Sequence, residues 1–124
     1  MGSFLTYLES AFERNFVQGL YNNVVRQLYR LLADAVQLHA DMISVSPTDL
    51  TISKQGVVID SVDISAHERI GPTLPPKMRK DWMSHRTALA VILKHDAGVR
   101  QHLQLVEETP ELLAYRILLE PIRH

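Results

Sequence analysis

With 124 residues and a hydrophobic fraction of 46%, the chain is long enough for one domain with a modest core and too apolar for general disorder. Thirteen basic and fourteen acidic residues leave a formal charge of -1, so no overall charge bias favours nucleic acid or an anionic membrane as partner. The absence of cysteine excludes disulfides, thiolate nucleophiles and zinc sites built on sulfur.

The sequence predicts neither a transmembrane segment nor a secretory signal peptide. Its apolar runs are far shorter than the roughly 20 residues that span a bilayer, and its N-terminus lacks the basic and apolar regions of a signal peptide. We therefore expect a chain that works in the cytoplasm or within an assembled particle and that does not contact membranes.

A helical pattern dominates the first third of the chain, from Ser3 to Met42. Apolar residues recur there at alternating steps of four and three, which is the spacing of a helix that packs lengthwise on a partner. The pattern predicts a long helix over residues 1–46 with an interaction seam along one side. The seam comprises Val17, Tyr21, Val24, Leu28, Leu31, Ala35 and Leu38.

Before the seam, the apolar residues step by four, which overshoots the 3.6-residue turn, so their stripe drifts around the helix. Gly19 and the pair Asn22 and Asn23 lower the helix propensity at the junction, glycine by about 1 kcal/mol relative to alanine. Either the long helix bends there, or a first short helix ends and a second begins. The drifting stripe consists of Phe4, Leu8, Phe12 and Phe16.

Two β-rich runs follow Pro47, which disfavours helical geometry in the residue before it. They flank the sequence Lys54-Gln55-Gly56, and a short connection that contains glycine predicts a β-hairpin over residues 47–65. Because the alternation changes phase after Asp60, we expect either a β-bulge at Asp60–Ser61 or a break between two short strands.

Residues 66–76 are rich in proline and predict an irregular loop, and residues 77–97 predict a second helix. Trp82 and His85 lie on the apolar stripe of this helix, so both are expected to face the core. Gly98 follows the helix where a left-handed C-cap would stand.

Apolar and polar residues alternate again in the last segment, residues 98–124, which predicts a second β-hairpin. The alternative is a helix, because Thr109-Pro110-Glu111 is a good helix start and helix formers follow it. We expect a single domain of the α+β class, with the helices packed on one face of a small antiparallel sheet of two hairpins. The alternative fold is mainly helical with one hairpin.

Candidate catalytic groups are sparse. His67 and Glu68 lie close in sequence to Asp60 and Asp63, and such groups perform acid–base chemistry when they converge on one pocket. None of the six histidines lies three to five residues from another, so no metal site is expected, and no glycine pattern for a phosphate or a cofactor is present.

Basic residues are concentrated at the start of the predicted second helix, where positive charge opposes the helix macrodipole. Such a cluster favours an anionic partner, which is either nucleic acid, with Trp82 available for stacking, or the acidic surface of a neighbouring subunit. No recognition-helix or RNA-binding signature supports the first choice. The cluster comprises Arg69, Lys77, Arg79, Lys80 and Arg86.

The predicted long helix suggests a function. A helix of about 35 residues extends roughly 50 Å, whereas a domain of this size has a radius of gyration of about 14 Å, so part of the helix would overhang and meet a protein partner or a second copy. We therefore expect a non-enzymatic structural or interaction subunit of a larger assembly, such as virion or secretion machinery. The alternatives are a nucleic-acid-binding regulator and a small hydrolase or metal enzyme.

Overall fold

The structure is a computed structural model that describes residues 2–14, 20–65 and 85–118. The described helices are α1 (Gly2–Arg14), α2 (Leu20–Leu38), α3 (His85–His95) and α4 (Ala97–Arg100). The described strands are β1 (Met42–Val45), β2 (Asp49–Lys54), β3 (Val57–Asp63), β4 (Leu103–Glu108) and β5 (Leu113–Ile117).

The five strands form one antiparallel sheet in the order β3-β2-β1-β5-β4. The first hairpin (β2–β3) lies on one side of β1 and the second hairpin (β4–β5) on the other. The predicted α+β class, with helices packed on an antiparallel sheet, is confirmed. The strands of the second hairpin also exclude the mainly helical alternative for the described residues after Gly98.

The core lies between one face of the sheet and the helices. Alternate residues of β1 carry buried side chains, and the residues paired with them on β2 and β5 bring their own side chains to the same face. Helix α2 covers this face with an apolar stripe that is wider than a coiled-coil seam. Buried on the sheet side are Ile43, Val45, Leu50, Ile52, Leu113, Tyr115 and Ile117, and on α2 Leu28, Tyr29, Leu31, Leu32, Ala35 and Val36.

The single helix predicted over residues 1–46 is not observed. Helix α1 ends at Arg14, α2 begins at Leu20, and the two pack against each other, which consecutive parts of one straight helix cannot do. The predicted drift of the α1 stripe is present, since Ala11 is fully buried and Phe12 only partly buried. Of the two alternatives at the junction, the structure therefore has the pair of helices.

Helix α2 ends before the predicted boundary because His39 adopts a left-handed conformation with φ 59°. The amide of Ala40 donates to the carbonyl of Ala35 at 2.8 Å, and the amide of His39 donates to that of Val36 at 3.4 Å. This pattern is the Schellman C-cap, here with histidine in the place that glycine usually takes. The chain then enters β1, which the sequence pattern had assigned to the helix.

The turn of the first hairpin contains two residues, Gln55 and Gly56, both with positive φ. This is the type I′ geometry, whose twist matches that of the flanking strands. The β-bulge lies at Ile59, between Val58 and Asp60, one residue before the predicted position. A second bulge lies at Val106 in β4.

The predicted left-handed cap at Gly98 is wrong. Helix α3 ends at His95, and Gly98 lies inside the short helix α4. The lack of a side chain matters there for a different reason, because a Cβ atom on Gly98 would overlap the ring of Tyr7 in α1. The glycine therefore allows α1 to approach α4 closely.

Two predicted segments remain untested. The loop over residues 66–76 and the start of the second helix, residues 77–84, lie outside the described residues.

None of the described helices is long and apolar enough to cross a membrane.

Candidate functional site

Of the four seam residues whose side chains the structure describes, three face the chain's own sheet. Leu28, Leu31 and Ala35 are fully buried in the core. Leu38 differs, because its side chain is 52% exposed at the end of α2. For Tyr21 and Val24 only the helical backbone is described, and Val17 lies outside the described residues. The 19 residues of α2 extend about 29 Å, well short of the 50 Å expected for one long helix.

The basic cluster is not placed by the structure. Arg69, Lys77, Arg79 and Lys80 lie outside the described residues, and the side chain of Arg86 in α3 is not described. Its role toward an anionic partner stays a prediction.

The two described acids of the proposed catalytic cluster do not converge. Asp60 and Asp63 are three residues apart on β3, so they lie on opposite faces of the sheet. The Asp60 carboxylate lies 3.5 Å from the guanidinium of Arg30, and the Asp63 carboxylate accepts hydrogen bonds from the amide and hydroxyl of Ser65. His67 and Glu68 lie outside the described residues.

The described histidines serve structural positions. His102 is buried, its ring stacks on Phe4 with centroids 3.9 Å apart, and its Nδ1 lies 3.1 Å from the carbonyl oxygen of Leu118. His39 closes α2, and His95 is exposed at the end of α3. Within the described part of the chain, no three histidine, aspartate or glutamate side chains come together as metal ligands.

One carboxylate, that of Asp96, joins α1, α2 and α4. Its Oδ1 caps α4 by accepting from the amides of Gly98 and Val99 at 3.0 and 3.2 Å, and it also accepts from the Tyr7 hydroxyl. Its Oδ2 accepts from the Tyr29 hydroxyl at 2.6 Å. Four donors bind this carboxylate, three at Oδ1 and one at Oδ2, so it holds the three helices together.

A second polar group is buried beneath α3. Tyr115 is 4% exposed, and its hydroxyl has no hydrogen-bond partner among the described residues. Burial raises the pKa of this hydroxyl above its ordinary value, the nearby Lys94 ammonium partly offsets the rise, and Glu108 adds to it. Lys94 and Glu108 form an ion pair at 3.1 Å.

Replacing Tyr115 with phenylalanine is therefore expected to raise the free energy of unfolding by about 1 kcal/mol, since a buried donor without a partner is unfavourable by about 1–3 kcal/mol. The benefit should grow as the pH rises above 10. In that range Tyr115 ionises in the unfolded chain but still holds its proton in the folded chain. The free energy of unfolding of the parent chain therefore falls.

Urea unfolding of both proteins at neutral pH and above pH 10 measures the two effects. A loss of stability in Tyr115→Phe at neutral pH would show that the hydroxyl has a stabilising partner.

Among the described residues, the most exposed large apolar side chains lie in the first half of β3. The side chains of Val57 and Val58 are 65% and 59% exposed, and Ile59 in the bulge is also exposed. Leu38 lies at the same end of the molecule, because the Asp41 carboxylate after α2 accepts from the amide of Gln55 in the turn. We call Leu38, Val57, Val58 and Ile59 the β3 edge patch.

The sequence pattern assigns Val57, Val58 and Ile59 to a hairpin strand and does not identify this patch. The signal that identifies an exposed edge is weak in a sequence, since edge and central strands share the same alternation. The strand order decides the matter, because β3 pairs with β2 on one side and with no described strand on the other.

We compared the chain with models of known protein families, with curated proteins and with solved structures, and none of them matches it.

Proposed function

We propose that the protein is a non-enzymatic interaction subunit of a larger assembly, and that it binds a protein partner through the β3 edge patch. The exposure of three successive aliphatic side chains on an edge strand supports this proposal. Val57 and Val58 are successive residues of the strand and so present apolar groups on its two faces, where a partner can cover them.

The backbone of β3 adds a second means of recognition. An edge strand presents unpaired amide and carbonyl groups, to which an extended segment of a partner adds as a further strand. Main-chain hydrogen bonds would give affinity, and the β3 edge patch would give selectivity for apolar side chains.

The second half of β3 is less suited to pairing. Asp60 and Asp63 place charges there, and the bulge at Ile59 interrupts the regular ladder. Charges and bulges are the features that restrain edge strands from indiscriminate pairing. The partner is therefore expected to contact mainly the first half, beside the turn at Gln55 and Gly56.

The double substitution Val57→Lys, Val58→Lys tests the proposal. It should weaken association at least about tenfold, which corresponds to about 1.4 kcal/mol, because two lysines cannot be covered by an apolar partner. The fold should persist, since both side chains are already exposed. Light scattering after size exclusion measures self-association, and affinity purification from the native source measures binding of other proteins.

Leu105→Lys, Val106→Lys is the matched control, since both side chains are about half exposed on β4, the opposite edge strand. A partner that is lost from the β3 variant and retained by the β4 variant supports the proposal. A chain that stays monomeric across micromolar concentrations and recovers no partner contradicts it. Equal losses in both variants would also contradict it, because they would indicate a general effect of added charge.

A further inference from the structure

An open groove of about 530 Å³ lies between helices α1 and α2. Its apolar lining includes Leu8 and Phe12 from α1 and Ala33 from α2, and the last two are only partly buried. The lining of the groove includes none of the four residues of the β3 edge patch.

Carboxylates dominate the charge of this groove. Glu9 and Glu13 of α1 and Asp34 of α2 line it, and Arg30 is the one basic residue among the described lining residues. The Arg30 guanidinium already lies 3.1 Å from the Asp34 carboxylate and 3.5 Å from that of Asp60. Nearby, the guanidinium of Arg26 lies over the Phe12 ring at 4.4 Å.

Glu9 and Glu13 stand in an unfavourable arrangement. They are one turn apart on α1, where like charges repel, and they lie in the second half of a helix that ends at Arg14, where negative charge opposes the macrodipole. Both are exposed, and neither forms an ion pair with another described residue. A bound cation would relieve both effects.

We propose that this groove binds the basic stretch at residues 77–86 of a second copy of the chain. This proposal rests on the proposed function, because it supplies one contact of the assembly. The stretch contains four basic residues and one acidic residue, Asp81. No other run of ten consecutive residues contains as many Lys and Arg side chains. The four are Lys77, Arg79, Lys80 and Arg86.

The composition of the stretch also fits the apolar part of the groove. Met78, Trp82 and Met83 stand among its charges, and tryptophan contributes strongly to binding when an apolar pocket covers it. Groove and stretch belong to different parts of one chain, so the contact is heterologous and joins copies head to tail.

A labelled synthetic peptide of residues 76–88 is the probe, and fluorescence anisotropy with the full chain measures its binding. We expect at least tenfold weaker binding to Glu9→Gln, Glu13→Gln than to the parent chain, and weaker binding at high salt, which screens exposed charges. A peptide with glutamine in place of its four basic residues should bind as weakly. The double variant should melt at a slightly higher temperature, because it lacks the repelling pair.

Glu107→Gln, Glu111→Gln is the matched control, since both acids are exposed on or beside β4, away from the groove. It should bind the peptide like the parent chain. Equal weakening in both double variants overturns the proposal, because it shows a response to net charge alone. Failure of the peptide to bind also overturns the proposal. This outcome includes the case in which the groove is already occupied by the basic stretch of the same chain.

The two association surfaces are separable. Val57→Lys, Val58→Lys should bind the peptide normally, and Glu9→Gln, Glu13→Gln should keep any association through the β3 edge patch. Loss of peptide binding in the β3 variant would overturn the groove as an independent site. A parent chain that binds the peptide normally but never associates with another chain would contradict the proposed function. It would also contradict the proposal that a second copy supplies the basic stretch.

Discussion

Alanine at both Leu28 and Leu31 is expected to leave the chain largely unfolded. Both side chains are fully buried between α2 and the sheet, and truncating a buried leucine is destabilising by about 2–5 kcal/mol. A domain of this kind has a total stability of about 5–15 kcal/mol. The two sites are one turn apart, so their cavities merge and the effects need not add. Circular dichroism during urea unfolding measures the loss.

Leu38→Ala is the matched control, because it makes the same substitution on the same helix where the side chain is half exposed. We expect a loss of at most about 1 kcal/mol. If Leu38→Ala were as damaging as the double variant, α2 would be rotated relative to the sheet, with Leu38 in the core.

Arg30, which the seam pattern places on the solvent side of α2, is a poorer control. It contacts Gln27, Asp34 and Asp60 and so links α2 to β3, and its replacement would remove these contacts as well as the side chain.

The second large effect is expected at the junction of α1, α2 and α4. Asp96→Ala removes the cap of α4, which is worth about 1 kcal/mol, and it deprives the Tyr7 and Tyr29 hydroxyls of their shared charged acceptor. Hydrogen bonds to charged groups contribute about 1.5–3 kcal/mol each, and the carboxylate is only partly buried. We therefore expect a total loss of about 3 kcal/mol in thermal or urea unfolding.

A double-mutant cycle separates the cap from the tyrosines. In a variant that already carries Tyr7→Phe and Tyr29→Phe, the further substitution Asp96→Ala should lower the free energy of unfolding by only about 1 kcal/mol. In that variant only the cap remains to be lost. Undiminished damage in that background would show that the tyrosines do not depend on Asp96.

Local patterns in the chain predict several elements correctly. The glycine-containing turn between two β-rich runs predicts the hairpin of β2 and β3, and alternation predicts that of β4 and β5. The spacing of Leu28, Leu31 and Ala35 identifies the buried face of α2. In each case the residues that carry the pattern lie within a few positions of one another.

Strand β1 shows where such patterns fail. Met42 continues the helical spacing of α2 and also begins an alternation of its own, so the sequence supports a longer helix as well as a strand. His39 ends the helix without the glycine that usually marks such a cap. Pairing with β2 and β5 on both sides then makes β1 the central strand.

The sequence by itself determines which side of each helix or strand is apolar, because periodicity within one segment is enough for that. It does not determine which segments meet. Tyr7 and Asp96 are 89 residues apart and Tyr29 and Asp96 are 67 apart, and their contacts exist because α1, α2 and α4 pack together. The exposure of Val57 and Val58 has the same origin, since a strand becomes an edge only through the order of the strands around it.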